Sequence, residues 1–148
     1  MFENIEILQA ELQHYASLYS ASNAWLGLII ELYKPETKKQ LIRYLHDKRH
    51  EKICIYGAGV IGKALYDAIV DSFHNIVVAD KSGSSIYDFK GESIVTTESL
   101  PQYNIDCFIV TPARFYNEIE KSLTKMGFKN IYSLAAIFAY MRLKDGGF

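Results

Sequence analysis

Three glycines and one aspartate have the type and spacing for chemistry. Gly57, Gly59 and Gly62 lie in the run "ICIYGAGVIGKALYDAI" (Ile53 to Ile69), between a short apolar stretch and a helix-like one. A G-x-G-x-x-G turn in that setting can hold a diphosphate. The first glycine permits the tight turn, the second lets backbone approach the phosphates, and the third lets the helix pack closely on the strand. The helix N-terminus adds unpartnered N–H groups and the positive end of its dipole. The backbone of Gly57, Ala58, Gly59, Val60, Ile61 and Gly62 is therefore the expected phosphate cradle.

Asp80 ends the next apolar run, "NIVVAD", 18 residues after Gly62 (80 − 62). That is close to the roughly 20 expected of an acid that accepts from ribose hydroxyls. A carboxylate there repels a 2′-phosphate and favours an NAD-like ligand. Lys81, a cation beside it, works against that preference. The competing reading is that the glycines only shape a turn and Asp80 only caps a loop.

Other residues compete less well. Thr111 to Arg114 lie at the carboxyl end of the apolar run "DCFIVT", where the second half of a ligand should lie in an open parallel sheet. Arg114 can meet a phosphate or carboxylate there, or simply start a solvated helix. His46 and His50 have the i, i+4 spacing of a metal pair, but no third ligand stands nearby. Tyr116 and Lys121 invite comparison with a tyrosine–lysine catalytic pair, yet five residues send two side chains to different helix faces. No Ser/His/Asp or Cys/His triad has sequence support. No catalytic residue is assigned, and whether the chain is an enzyme is left open.

The elements that must position these residues follow from hydrophobic spacing. Ile5, Leu8, Leu12, Tyr15 and Tyr19 give one helical face, and Ser20 to Asn23 interrupts it. Trp25, Leu26, Ile29, Ile30 and Tyr33 predict the apolar side of a second helix, ended by Pro35. A third spans Glu36 to His50, with Leu41, Ile42, Tyr44 and Leu45 inward. The stretch from Lys34 to Lys52 carries seven Lys/Arg against three Asp/Glu. It reads as a solvated face or as a phosphate- or membrane-facing patch.

Beyond Lys52 strands and helices alternate. Strands are predicted at Ile53 to Tyr56, Asn75 to Asp80, near Ser93 to Thr96, at Asp106 to Thr111 and at Asn130 to Ser133. Ile61, Ala64, Leu65, Ala68 and Ile69 form the inner face of the helix after the glycine turn. Pro112 opens a further helix with Phe115, Ile119, Leu123 and Met126 inward, and Gly127 stops it. Strands apolar on both faces imply a parallel sheet covered by helices on both sides. Right-handed crossovers then favour the order 3-2-1-4-5. The predicted fold class is α/β, with a helical segment over residues 1–50 and a nucleotide-binding domain over 51–148.

Composition bounds the rest. The 148 residues are 49% hydrophobic and 22% charged, with net charge −1, so neither disorder nor a nucleic-acid partner is expected. The apolar run Ala24 to Ile30 is far shorter than the roughly 20 residues of a membrane span. Met1 to Ala10 includes Glu3 and Glu6 and lacks the basic start of a signal peptide. Cys54 and Cys107 sit in apolar strands, as buried thiols of a reducing cytoplasm would.

The segment from Lys52 to Leu134 resembles the small Rossmann-type NAD(P)-binding-like domains of bacterial surface-polysaccharide and nucleotide-sugar enzymes. The residues that carry it are "IYGAGVIGKAL", "VVADKS…FKGESIVTTESL", "NIDCFIVT" and "FYNEIEKSLTKMGFKNIYSL". The resemblance implies a cofactor site at Gly57, Gly59, Gly62 and Asp80, and a nucleotide, dinucleotide such as NAD, or nucleotide sugar as ligand. It also implies that an active form would be an NAD-dependent sugar-nucleotide oxidoreductase or part of a sugar-modifying transferase. It transfers no catalytic residue. The alternative is an interaction or oligomerisation domain that keeps the fold without a ligand. Its expected contacts are the N-terminal helices and Ile137, Phe138, Tyr140 and Met141 of the tail "AAIFAYMRL".

Overall fold

Ile53 to Tyr56 and Cys107 to Val110 are buried without interruption, which strands achieve only when both faces of their sheet are covered. The computed structural model describes residues 25–145. Its elements run α1 (Trp25–Leu32), α2 (Pro35–Asp47), β1 (Lys52–Tyr56), α3 (Val60–Ile69), β2 (Asn75–Ala79) and β3 (Ile94–Val95). They continue with β4 (Cys107–Val110), α4 (Tyr116–Lys125), β5 (Ile131–Ser133) and α5 (Leu134–Asp145). The five strands form one parallel sheet in the order β3-β2-β1-β4-β5, as the crossover rule requires.

One face packs Ile53, Ile55 and Ile109 against Leu65 and Ile69 of α3, Ile137 of α5, and Leu32, Leu41 and Leu45 of α1 and α2. The other face gathers Cys54, Phe108 and Val110 with Leu100 and with Leu123 of α4. Three fully buried leucines, each stabilising by about 2 kcal/mol, thus join the N-terminal helices to the core of the sheet. Register pairs Ile53 with Cys107 and Cys54 with Phe108. The pleat therefore puts the two free thiols on opposite faces. Burial pushes both up, Cys107 to about 12, so neither is a nucleophile at neutral pH.

Several local expectations need correction. The inward side of α1 is Leu28, Ile29 and Leu32, whereas Leu26, Ile30 and Tyr33 are exposed. α1 ends at Leu32, before Pro35, and Pro35 is also the first residue of α2. Pro112 precedes a 3₁₀ turn, Ala113–Phe115, and α4 begins only at Tyr116. Phe115 is consequently half exposed, and Tyr116 joins Ile119, Leu123 and Met126 on the inner side. Ile137, Phe138 and Met141 are buried in the chain's own core, so they are not available to a partner; Tyr140 stays exposed and packs its ring edge to face with Tyr44. The helix expected on Ile5 to Tyr19 and the break at Ser20 to Asn23 lie outside the described residues. Among the described residues no helix is long and apolar enough to cross a membrane.

α2 stops at Asp47, short of His50, because Arg49 adopts a left-handed conformation at φ 60°. Its N–H reaches the His46 carbonyl at 2.9 Å and the His50 N–H reaches that of Leu45 at 3.1 Å. These are the paired hydrogen bonds of a Schellman turn, which seats the following residue against the helix. His50 is thereby buried, and its Nε2 has no hydrogen-bond partner among the described residues. Burial lowers its pKa, with Asp106 opposing and Lys48 assisting. The unfolded chain takes up the proton near 6.5 while the fold resists to lower pH, so stability must fall as pH drops through that value. Denaturant midpoints measured from about pH 7.5 to about 5 should show this decline. His50→Phe, which keeps a ring beside Tyr132, should flatten it; an equal slope in the variant would refute the assignment.

Candidate functional site

Only three residues, Gly57 to Gly59, separate β1 from α3. Gly57 has φ 112°, and a Cβ there would sit 2.3 Å from Thr111 Oγ1 and 2.8 Å from Pro112 Cδ. Its N–H reaches back to the Ala79 carbonyl at 2.8 Å. Gly62, one turn into α3, faces the turn itself: a Cβ would lie 1.9 Å from the Gly57 carbonyl oxygen. The first and third glycines are therefore dictated by the fold. Thr111 is buried, with its hydroxyl 3.1 Å from the Tyr56 carbonyl and 3.3 Å from that of Gly57. That hydroxyl braces the turn and faces no solvent.

Gly59 is different. Its φ of −88° and ψ of −161° describe extended backbone open to any residue, and a Cβ would meet nothing within 4 Å. It is the N-cap of α3 and brings no side chain to the first helical N–H groups. Ser, Asp or Asn would cap them. The fold accounts for two of the three glycines and leaves the middle one unexplained.

Asp80 follows β2 and is half-buried. Its Oδ2 accepts from the Ala58 N–H at 2.8 Å, and its Oδ1 accepts from the Ser82 N–H at 3.0 Å and hydroxyl at 2.9 Å. Burial pushes the carboxyl up, but these three bonds outweigh it and hold the group below its usual range. It is ionised at neutral pH. With Oδ1 accepting twice and Oδ2 once, about one of its roughly four acceptor positions is left. That is room for one ribose hydroxyl and not for two. Lys81 is exposed. Arg114 is exposed in the 3₁₀ turn, its guanidinium carbon 5.8 Å from the Phe115 ring centre, with no ion pair among the described residues. The structure gathers Gly57 to Gly62, Asp80 and Thr111; Arg114 stands three residues beyond Thr111 on the following turn.

The polar stretch after β2 holds what sequence reasoning passed over. Ser85 Oγ donates to the Ala58 carbonyl, and Phe89 is buried edge-on against Tyr66 of α3. A single phenylalanine in "KSGSSIYDFKGE" was the available signal. The remaining candidates lie elsewhere. His46 stacks on Phe73 and His50 faces Tyr132, so the two rings have separate partners. The Tyr116 hydroxyl binds Glu120 at 2.9 Å and the Ile131 carbonyl at 3.0 Å. Burial, then Glu120, push it to about 12, far from the range of a general acid at neutral pH.

A family model described as C2185-like, N-terminal, matches residues 49–131, more than half of the chain, and the chain belongs to that family. The matched stretch runs from just before β1 to the start of β5 and includes every residue of the turn and Asp80. No curated protein matches the chain significantly, and no solved structure does. The family description names neither a ligand nor a reaction.

The three glycines should separate by mutation. Gly57→Ala and Gly62→Ala each force a methyl into occupied space and should cost about 2–4 kcal/mol in thermal or denaturant unfolding. Gly59→Ser should be neutral within about 0.5 kcal/mol or slightly stabilising, since it supplies a cap. A loss at Gly59 matching that at Gly62 would show that the middle glycine is also a packing requirement.

Proposed function

We propose that this chain binds a nucleotide or an NAD-like dinucleotide, with its diphosphate on Gly57 to Gly62 and a ribose hydroxyl on Asp80. The observation that carries the reading is Gly59, a glycine that neither packing nor backbone conformation requires. It lies where absence of a side chain admits an anion to the uncapped N–H groups of α3. Asp80 supports an unphosphorylated ribose, and exposed Lys81 and Arg114 supply cations near the rim. Service in nucleotide-sugar or surface-polysaccharide synthesis, as a cofactor-binding module, follows from the sequence resemblance alone. A reducing, cytoplasmic setting suits two buried free thiols.

The second reading, an interaction domain without ligand, draws on one observation. Leu26 and Ile30 of α1, with Tyr33 just beyond its end, form an exposed apolar stripe.

Two measurements decide between them. Nucleotide should be released when the purified protein is denatured. Calorimetry with NAD, NADP, UDP-sugars and S-adenosylmethionine should then show binding, with NAD above NADP. Gly59→Val should weaken it at least about tenfold, or ~1.4 kcal/mol, without unfolding the protein. Silence from the whole panel on folded protein would overturn the nucleotide reading.

A further inference from the structure

Ala58, the middle residue of the turn, is held on both sides. Its N–H is taken by Asp80 Oδ2 at 2.8 Å and is therefore withdrawn from any ligand. Its carbonyl accepts from Ser85 Oγ. The Ala58–Gly59 peptide is trans and planar, so its carbonyl and the Gly59 N–H point in opposite directions. Fixing the carbonyl on Ser85 therefore aims the Gly59 N–H away from the 82–87 segment. That N–H belongs to the one turn residue whose surroundings are open.

Resting on the nucleotide reading above, we propose that Ser85 is a positioning residue for phosphate, presenting the Gly59 N–H as the first donor of the cradle. The hydroxyl is itself constrained. It accepts from the Tyr87 N–H at 3.0 Å, which leaves its single proton directed at Ala58. The segment that carries it is anchored at both ends. Asp80 binds Ser82 twice, the Gly83 N–H reaches the Asp80 carbonyl at 3.0 Å, and Phe89 is buried against Tyr66. Without Ser85 the Ala58 carbonyl loses the hydroxyl that holds it, and the Ala58–Gly59 peptide is freer to flip and turn its oxygen towards the phosphate, which it would repel. The serine thus acts electrostatically on the ligand without touching it.

The test compares wild type, Ser85→Ala and Ser85→Thr by two-dimensional amide NMR and calorimetry, with NAD, ADP and adenosine as probes. Ser85→Ala should weaken NAD and ADP about fivefold to tenfold, the effect of one oriented hydrogen bond. Adenosine, which has no phosphate, should bind it as it binds wild type, and Ser85→Thr should recover the loss. Independently of any variant, ADP should shift the Gly59 amide of wild type more than the Ala58 amide. Equal ADP affinity in wild type and Ser85→Ala would overturn the assignment and leave the nucleotide reading intact. So would an equal loss for adenosine, or a larger shift at Ala58. Wild type that binds none of the three probes would overturn this assignment, and silence from NADP, UDP-sugars and S-adenosylmethionine as well would overturn both.

Discussion

The first turn of α3 lies against the carbonyl of Gly57, and the rest of the structure depends on that contact. A single hydrogen at Gly62 Cα is all that fits there. The contact lets a helix start three residues after a buried strand and still cover the sheet with Leu65 and Ile69. It also brings the uncapped end of α3 to the carboxyl edge of β1 and β2, where Asp80 emerges. Thr111 and Pro112 close over Gly57 from the neighbouring strand, so the turn is fixed from three sides. Its geometry belongs to the core, and so the site inherits the rigidity of the core.

Asp80 is structural first, and the ribose contact we propose for it would use the same geometry. Its bonds to Ala58 and Ser82 tie the glycine turn to the connection after β2, and the same bonds stabilise its charge. A ligand that reaches it meets an anion already oriented, at the cost of most of its acceptor capacity. The two readings of this aspartate, loop cap and ribose acceptor, are therefore compatible.

The sheet was legible because its signal is dense. Unbroken apolar strands are central, and amphipathic helices between them with right-handed crossovers favour the order found. Legibility failed where a residue's neighbours come from distant sequence. Nearly every residue of "WLGLIIEL" is apolar, so spacing offers no contrast for the inner side of α1, and α3 and α2 choose the face. The tail "AAIFAYMRL" offers as little contrast, and its Ile137 and Met141 join the same buried cluster as Leu41 and Leu45 of α2 and the isoleucines of the sheet. Arg49 takes a left-handed turn without a glycine to announce it, so the sequence shows no stop for α2 before His50. In the site, Gly57, Gly62 and Asp80 follow a known spacing, whereas Ser85 reaches Ala58 across 27 residues by a loop that no periodicity describes.

The strand order also has a consequence for synthesis. β1 is made early but sits in the middle of the sheet, and one of its partners, β4, follows 54 residues later (Ile53 to Cys107). The wall that Thr111 and Pro112 form against Gly57 is made later still. Until that segment leaves the ribosome, the glycine turn has one side bare and β1 has one edge unpaired. The turn therefore cannot mature as a local piece of chain. It acquires its final shape late, when the carboxyl half arrives to complete it.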